Sequence, residues 1–272
     1  MAEQILRIKP ADVVKLIKKG DMEVVTPSPA PEPLITGDRQ IERAKSLFGK
    51  DFLGVEAIHT MEEKCKMAGI NVSFEIPQLD TATIGTQLSD AVLEAAKEMA
   101  NDKERFVVLR PEFMIAHGER KPVNLTNLRD LFIADAEEDK GGYSNNPFGD
   151  GDVFYDQDWY DDEKFAKEPM KPGFGLPTKG VVEESRDKNW EDQGKLLETG
   201  ERRREAVETA WDTLLYYAAT GKKLLEEDWD WGNSRASGGY LVNVGGFDSD
   251  GLYVRNWNPG RSRSDIGVCP SR

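Results

Sequence analysis

Cysteine is scarce in this chain: Cys65 and Cys269 are the only two among 272 residues. Two thiols so far apart argue against a disulfide framework and against a four-cysteine zinc site. Histidine is equally scarce, with only His59 and His117. That leaves little material for a histidine-based metal centre or a catalytic triad. Positive charge is also short, with 36 basic residues against 50 acidic ones and a net charge of -14. General nucleic-acid binders and anionic-membrane binders need a basic face, so both classes are disfavoured. No stretch approaches the roughly 20 apolar residues of a membrane-crossing helix. The opening Met-Ala-Glu-Gln-Ile-Leu-Arg carries no apolar run of the signal-peptide kind. The expectation is no nucleic acid, no direct membrane insertion, no metal and no other cofactor.

What is present falls into an arm and one large domain. Pro10 suits the first turn of a helix carrying Val13, Val14 and Ile17 on one face, and Gly20 suits its end. Alternating prolines from 26 to 33 read as a stiff extended linker. Residues 1–33 are therefore expected to form an arm and linker, and residues 34–272 the domain. Within it, Asp38 can cap a helix reaching Phe48, with Ile41, Ala44, Leu47 and Phe48 inward. A second helix over 55–68 would bury Val55, Ile58, Met61 and Cys65, which makes Cys65 a core thiol. Residues 71–76 alternate like a strand. A helix after Thr86 would turn Leu88, Val92, Ala95 and Met99 inward, and 106–109 is a buried-strand run. Thr126 is placed to cap a helix bearing Leu128, Leu131 and Phe132. Residues 173–183 read as extended. The strongest helical pattern runs from 198 to 220, with Val207, Trp211, Leu214, Leu215 and Ala218 on one face and Gly221 at its end.

Between 134 and 162 the composition turns acidic, with Tyr, Phe and Trp interspersed. Asp150, Asp152, Asp156 and Asp158 offer hard oxygen ligands, but their spacing departs from the calcium loop of an EF-hand. The plainer reading is a solvated acidic loop pinned by aromatics.

The stretch 229–272 has a different texture. Single apolar residues (Leu241, Val244, Phe247, Leu252, Val254, Ile266, Val268) punctuate Gly, Asn, Ser, Asp, Arg and Tyr. Gly and Asn clusters, with Asp250-Gly251, signal tight turns between short strands, and Ile266 to Val268 reads as a final strand pairing back. Tyr240, Tyr253, Arg255, Trp257, Arg261 and Arg263 are residue types that dominate binding interfaces.

Several runs in this half resemble the variable proteins of diversity-generating retroelements, found in phages, archaeal viruses and small-genome microbes. They are Ala210-Trp-Asp-Thr-Leu-Leu-Tyr-Tyr, Gly221-Lys-Lys-Leu-Leu-Glu, Ser234-Arg-Ala-Ser-Gly-Gly, Val244-Gly-Gly-Phe-Asp-Ser-Asp-Gly and the closing Ile266-Gly-Val-Cys-Pro-Ser-Arg. Phe48-Gly-Lys-Asp-Phe-Leu-Gly-Val-Glu-Ala is similar to the early part of such chains. The resemblance covers about two thirds of the protein and is strongest after Glu205. Each motif is short; their order and placement carry the likeness.

The resemblance implies an α+β chain with a C-type lectin-like fold of the formylglycine-generating-enzyme subtype. Flanking helices would support a short-stranded, loop-rich β region at the C-terminus. It implies a hypervariable region rewritten at adenines by an error-prone reverse transcriptase. Trp231, Arg235, Ser237, Gly238, Leu241, Val244, Gly245, Phe247, Gly251, Val254, Gly267 and Val268 would be fixed scaffold. The diversified, ligand-binding set would be Ser234, Ala236, Tyr240, Asn243, Gly246, Asp248, Asp250, Tyr253, Arg255, Asn256, Asn258, Arg261, Ser262, Arg263 and Ser264, with Trp257 either anchor or contact. The function expected is non-enzymatic binding of an unknown protein or surface ligand, by a chain that is cytoplasmic or virion-associated.

Three rivals stand beside it. A formylglycine-generating-type enzyme would use a close cysteine pair where Cys269 is alone. A calcium-dependent carbohydrate binder would use the acidic loop. The third is a structural virion or surface-assembly component.

Overall fold

The computed structural model describes residues 6–8, 13–18, 21–25, 38–98, 104–133 and 146–272. It is a mixed α+β chain. Three strands come first: β1 (Leu6–Ile8), β2 (Val13–Lys18) and β3 (Asp21–Val25). They form an antiparallel sheet of their own, with β2 in the middle and Lys18 opposite Asp21. The helix expected after Pro10 is therefore a strand. Val13, Val14 and Ile17 are β-branched, and pairing on both sides overrides the Pro and Gly signals that suggested a helix. The proline linker at 26–33 lies outside the described residues.

Asp38 caps α1 (Arg39–Phe48) as expected, its carboxylate accepting from Gln40 N at 2.7 Å. After β4 (Phe52–Leu53), α2 (Val55–Met67) buries Ala57, Ile58, Met61 and Cys65. Burial pushes the Cys65 thiol up to about 12, as befits a packed core thiol. β5 (Val72–Phe74) follows, then α3 (Thr81–Gln87) and α4 (Asp90–Glu98). The single helix expected after Thr86 is broken here. Ser89 Oγ accepts from Val92 N at 3.3 Å and starts a new helix, so Leu93 and Ala96 face inward while Val92 and Ala95 are half-buried. Met99 lies outside the described residues.

The hairpin β7 (Phe113–Ala116) and β8 (Glu119–Pro122) follows β6 (Val107–Arg110), all of which is buried. α5 (Leu125–Ile133) is capped by Asn124, whose Oδ1 accepts from Asn127 N; Thr126 sits inside the helix instead. Next come α6 (Lys164–Lys167), β9 (Gly173–Gly175), α7 (Trp190–Gly194) and α8 (Ala206–Thr220). Four strands complete the chain: β10 (Trp229–Arg235), β11 (Leu241–Asp248), β12 (Gly251–Trp257) and β13 (Ile266–Gly267). Sheet orders are β4-β6-β9, β5-β7-β8 and β12-β11-β10-β13, with β13 parallel to β10.

α8 starts at Ala206 rather than at 198. Glu205 and Glu208 form a reciprocal capping box, and Gly221 ends the helix in the left-handed conformation at φ 72°. The preceding residues are held extended: Arg202 pairs with Ser271, and Arg204 O accepts from Asn233 N. α8 is buried almost all round, because α2, α5, β6, β10 and β11 pack against it. Trp211 is fully buried and donates its indole N–H to Leu109 O at 3.0 Å.

Charge is buried along the same helix. Arg110 donates to both oxygens of Asp212 and to Glu208; Arg204 bridges Asp212 and Asp230. Burial alone would raise the Glu208 carboxyl, but Arg110 and Arg202 hold it down at about 2. A depressed carboxylate stabilises the fold above its unfolded value, near 4.5, and loses that contribution as pH falls toward 2. Acid unfolding of the native chain should therefore steepen in that window, and Glu208→Gln should flatten it. A Glu208→Gln melt with the same acid slope as the parent would contradict this assignment.

Candidate ligand-binding face

β10, β11 and β12 divide their side chains between two faces. Directly opposed residues on paired antiparallel strands share a face. Val244 opposite Val254 looks toward α8, and Phe247 and Leu252 join the same main core with Trp211, Leu214 and Leu215. The other face carries two rows, Trp231–Asn243–Arg255 and Trp229–Gly245–Tyr253. A second, smaller core forms there from Trp229, Trp231, Leu241 and Ile266, flanked by Trp190, Tyr253 and Trp257.

The segment after Phe154 completes this face. Tyr155 N donates to Leu252 O at 3.2 Å, Leu252 N donates to Val153 O at 3.0 Å, and the Trp159 indole donates to Val254 O at 2.9 Å. These bonds stitch 153–159 along the outer edge of β12. Tyr155 stacks on Tyr253 with centroids 4.1 Å apart. Arg255 lies 4.6 Å over Trp229 and 4.8 Å over Tyr253, and Arg263 lies 5.2 Å over Trp257. Cation–π contacts of this kind hold a guanidinium flat while leaving its edge N–H groups available.

A cavity of about 350 Å³ opens on this face, bounded by Gln157, Trp159, Trp229, Asn243, Arg255, Asn256, Trp257, Arg263 and Ile266. Its floor is unusual. Asn243 is only 3% exposed, yet among the described residues its Oδ1 has no hydrogen-bond partner, and the same holds for Trp257 Nε1. Buried polar atoms are nearly always paired, so unpartnered Asn243 Oδ1 and Trp257 Nε1 around one cavity mark it as a candidate ligand site. Replacing the Asn243 amide by the similarly shaped, apolar Asn243→Leu should raise stability by about 1 kcal/mol, since it removes an unmet polar group. A thermal melt showing a loss instead would mean that the amide is satisfied.

A larger cavity of about 610 Å³ lies by the start of α8, but its charged walls are committed elsewhere. Glu201 pairs with Arg105, Glu208 with Arg110 and Arg202, and Glu205 with Asn233 and Ser234.

The residues expected to be displayed divide sharply. Tyr240, Asp248, Asp250, Arg255, Asn258, Arg261, Ser262, Arg263 and Ser264 are exposed; Tyr253, Asn256 and Trp257 are half-buried. Four are corrected. Ser234, Ala236, Asn243 and Gly246 are buried. Ser234 Oγ accepts from Ala206 N at 2.9 Å and donates to Glu205, so it anchors β10 to the helix start. Ala236 belongs to the main core, and Asn243 lies on the cavity floor. Gly246 has φ +61°, and a Cβ there would sit 2.6 Å from the Trp229 ring. Conversely, Arg235, Ser237 and Gly238, expected as scaffold, are exposed. Tyr155, Gln157 and Trp159 were missed; the aromatics within the acidic loop were their only signal.

Among the described residues, no three of His, Cys, Asp and Glu gather as a metal site. Cys65 and Cys269 are buried and free, and burial raises the Cys269 thiol well above its ordinary value. No helix of the described residues is long and apolar enough to cross a membrane. Comparison of the chain with models of known protein families, with curated proteins and with solved structures returned no match.

Proposed function

We propose that this chain is a ligand-binding protein whose C-terminal face is diversified by a retroelement, on a C-type lectin-like scaffold of the formylglycine-generating-enzyme subtype. One observation carries the reading: the β11–β12 region puts Val244, Phe247, Leu252 and Val254 into the main core and turns Tyr253, Arg255 and Trp257 to the opposite face, where Arg255 is exposed and Tyr253 and Trp257 are half-buried over the smaller core. Such a division lets contact residues change without disturbing the main core. Rigid Tyr and Trp rings supply contact area at low entropy cost, and short polar residues tune hydrogen bonding. The ligand is a protein or other surface molecule, and the chain works in the cytoplasm or on a virion. Its substitutable positions are Tyr240, Asp248, Asp250, Tyr253, Arg255, Asn256, Trp257, Asn258, Arg261, Ser262, Arg263 and Ser264; Tyr155 and Gln157, outside the rewritten stretch, are fixed neighbours on the same face.

The test is genetic. A near-copy of the bases encoding 229–272, differing at adenines, should lie near a reverse transcriptase gene. Sequencing the gene across a population should find replacements concentrated at the exposed positions and absent from Ser234, Ala236 and Gly246. A population with no template copy and uniform sequence over 229–272 would overturn the proposal.

A further inference from the structure

We propose that, in this version of the face, the cavity beside Arg255 binds a carboxylate carried on a single flat ring. The inference rests on the ligand-binding reading above and names the chemistry of what is bound.

Trp257 Nε1 is buried and has no acceptor among the described residues. Arg255 has no carboxylate within 4.0 Å among the described residues, although the chain carries 50 acidic residues. Its guanidinium is instead held over Trp229 and Tyr253. Arg263, on the same cavity, is already neutralised by Asp265 through two bonds of 2.8 and 2.5 Å. Among the described residues, Arg255 is therefore the one unneutralised cation on the cavity wall.

Among the described residues, Asn243 Oδ1 has no hydrogen-bond partner. Its amide lines the cavity. An indole N–H, a carboxamide N–H and a guanidinium fork together call for a group rich in acceptors and negatively charged. A carboxylate offers two oxygens and about four lone-pair sites, and pairs with a guanidinium through two parallel bonds. Asn243 can then serve either a carboxylate oxygen or a neighbouring hydroxyl.

The walls set the rest of the ligand. Trp159 and Trp229 present flat apolar rings, and a volume of about 350 Å³ lies at the small end of ligand pockets. One ring fits. A sugar acid would lay its C–H face on an indole, and an aromatic acid would stack on one. The two sources share the carboxylate, so the experiment carries an arm for each.

The full chain, labelled with ¹⁵N, is titrated with glucuronate and separately with benzoate. Glucose and benzyl alcohol serve as uncharged counterparts. The readout is the indole N–H resonance of Trp257, assigned by its disappearance in Trp257→Phe. A free indole N–H moves downfield when it gains an acceptor. The expected result is a saturable shift with at least one acid and none with its neutral counterpart. Response to glucuronate alone identifies a sugar acid; response to benzoate alone identifies an aromatic acid. Arg255→Gln should weaken the responding acid by about tenfold or more, the scale of one charged hydrogen bond. Arg255 is exposed, so the variant should fold, and its unchanged spectrum elsewhere verifies this.

Silence with both acids, equal shifts with the neutral counterparts, or undiminished binding by Arg255→Gln would each overturn the carboxylate assignment. None of these results touches the diversification reading, which is decided by gene sequences. A uniform gene population with intact acid binding would do the reverse.

Discussion

Asp230→Ala is expected to destabilise the protein by roughly 3–5 kcal/mol, the cost of removing one partner from a buried ion network. Asp230 is 1% exposed and accepts from four directions. Arg204 Nε and Nη2 reach it at 3.0 and 2.9 Å, Thr209 Oγ1 at 2.7 Å, and Cys269 N at 2.8 Å. One carboxylate thus ties β10 to α8 and to the segment after β13. Alanine would leave Arg204 leaning on Asp212 alone and would strand a hydroxyl and a backbone N–H. Asp230→Asn keeps the shape and some acceptors, so its loss should be clearly smaller. Urea melts of both variants decide this. An Asp230→Ala protein within 1 kcal/mol of the parent would mean that water replaces the carboxylate, and the network would lose its structural role.

The second large effect lies across the sheet. Phe247→Ala should cost about 3–5 kcal/mol through lost burial and the cavity left behind. Phe247 is fully buried, meets Tyr217 edge-on with centroids 5.4 Å apart, and is covered by Lys223 at 4.5 Å. By contrast, replacing exposed Tyr240, Arg255 and Arg261 together with Ser should change stability by about 1 kcal/mol or less, as surface substitutions away from caps and networks do. Paired denaturant melts measure the contrast. If the triple variant unfolds while Phe247→Ala holds, the exposed residues are structural and the binding-face proposal fails.

How much of this was legible beforehand varies by element. The alternation Leu252-Tyr-Val-Arg fixes which side chains look inward, because strand periodicity needs no knowledge of the rest of the fold. Cys65, Trp211 and Gly221 were equally readable from helical spacing and a left-handed stop. Ser234, Ala236 and Asn243 were not. Small and polar residues are compatible with either face, and Ser234 is buried only because β10 meets the start of α8. Gly246 demanded knowledge of where Trp229 would lie. Tyr155 reaches the face through a backbone bond to Leu252, and Trp159 through its indole N–H donating to Val254 O, 95 residues later, with Gln157 between them. Local pattern carries no trace of such a pairing. The break at Ser89 and the late start of α8 were hidden for the related reason that capping chemistry competes closely with helical periodicity.

The central position of α8 also sets the kinetics of folding and the smallest unit that can be engineered. Its partners come from far along the chain: Leu109 for Trp211 and Arg110 for Asp212, each 102 residues away, Ala218 with Lys64 at 154, and Tyr216 with Asp51 at 165. Loops of that length must close before any of these contacts forms, and contact order of this kind slows folding to milliseconds or longer. A display scaffold cut down to 229–272 would have β10, β11 and β12 with nothing beneath them. Selection from a library of binding variants would accordingly need the surrounding domain in every clone.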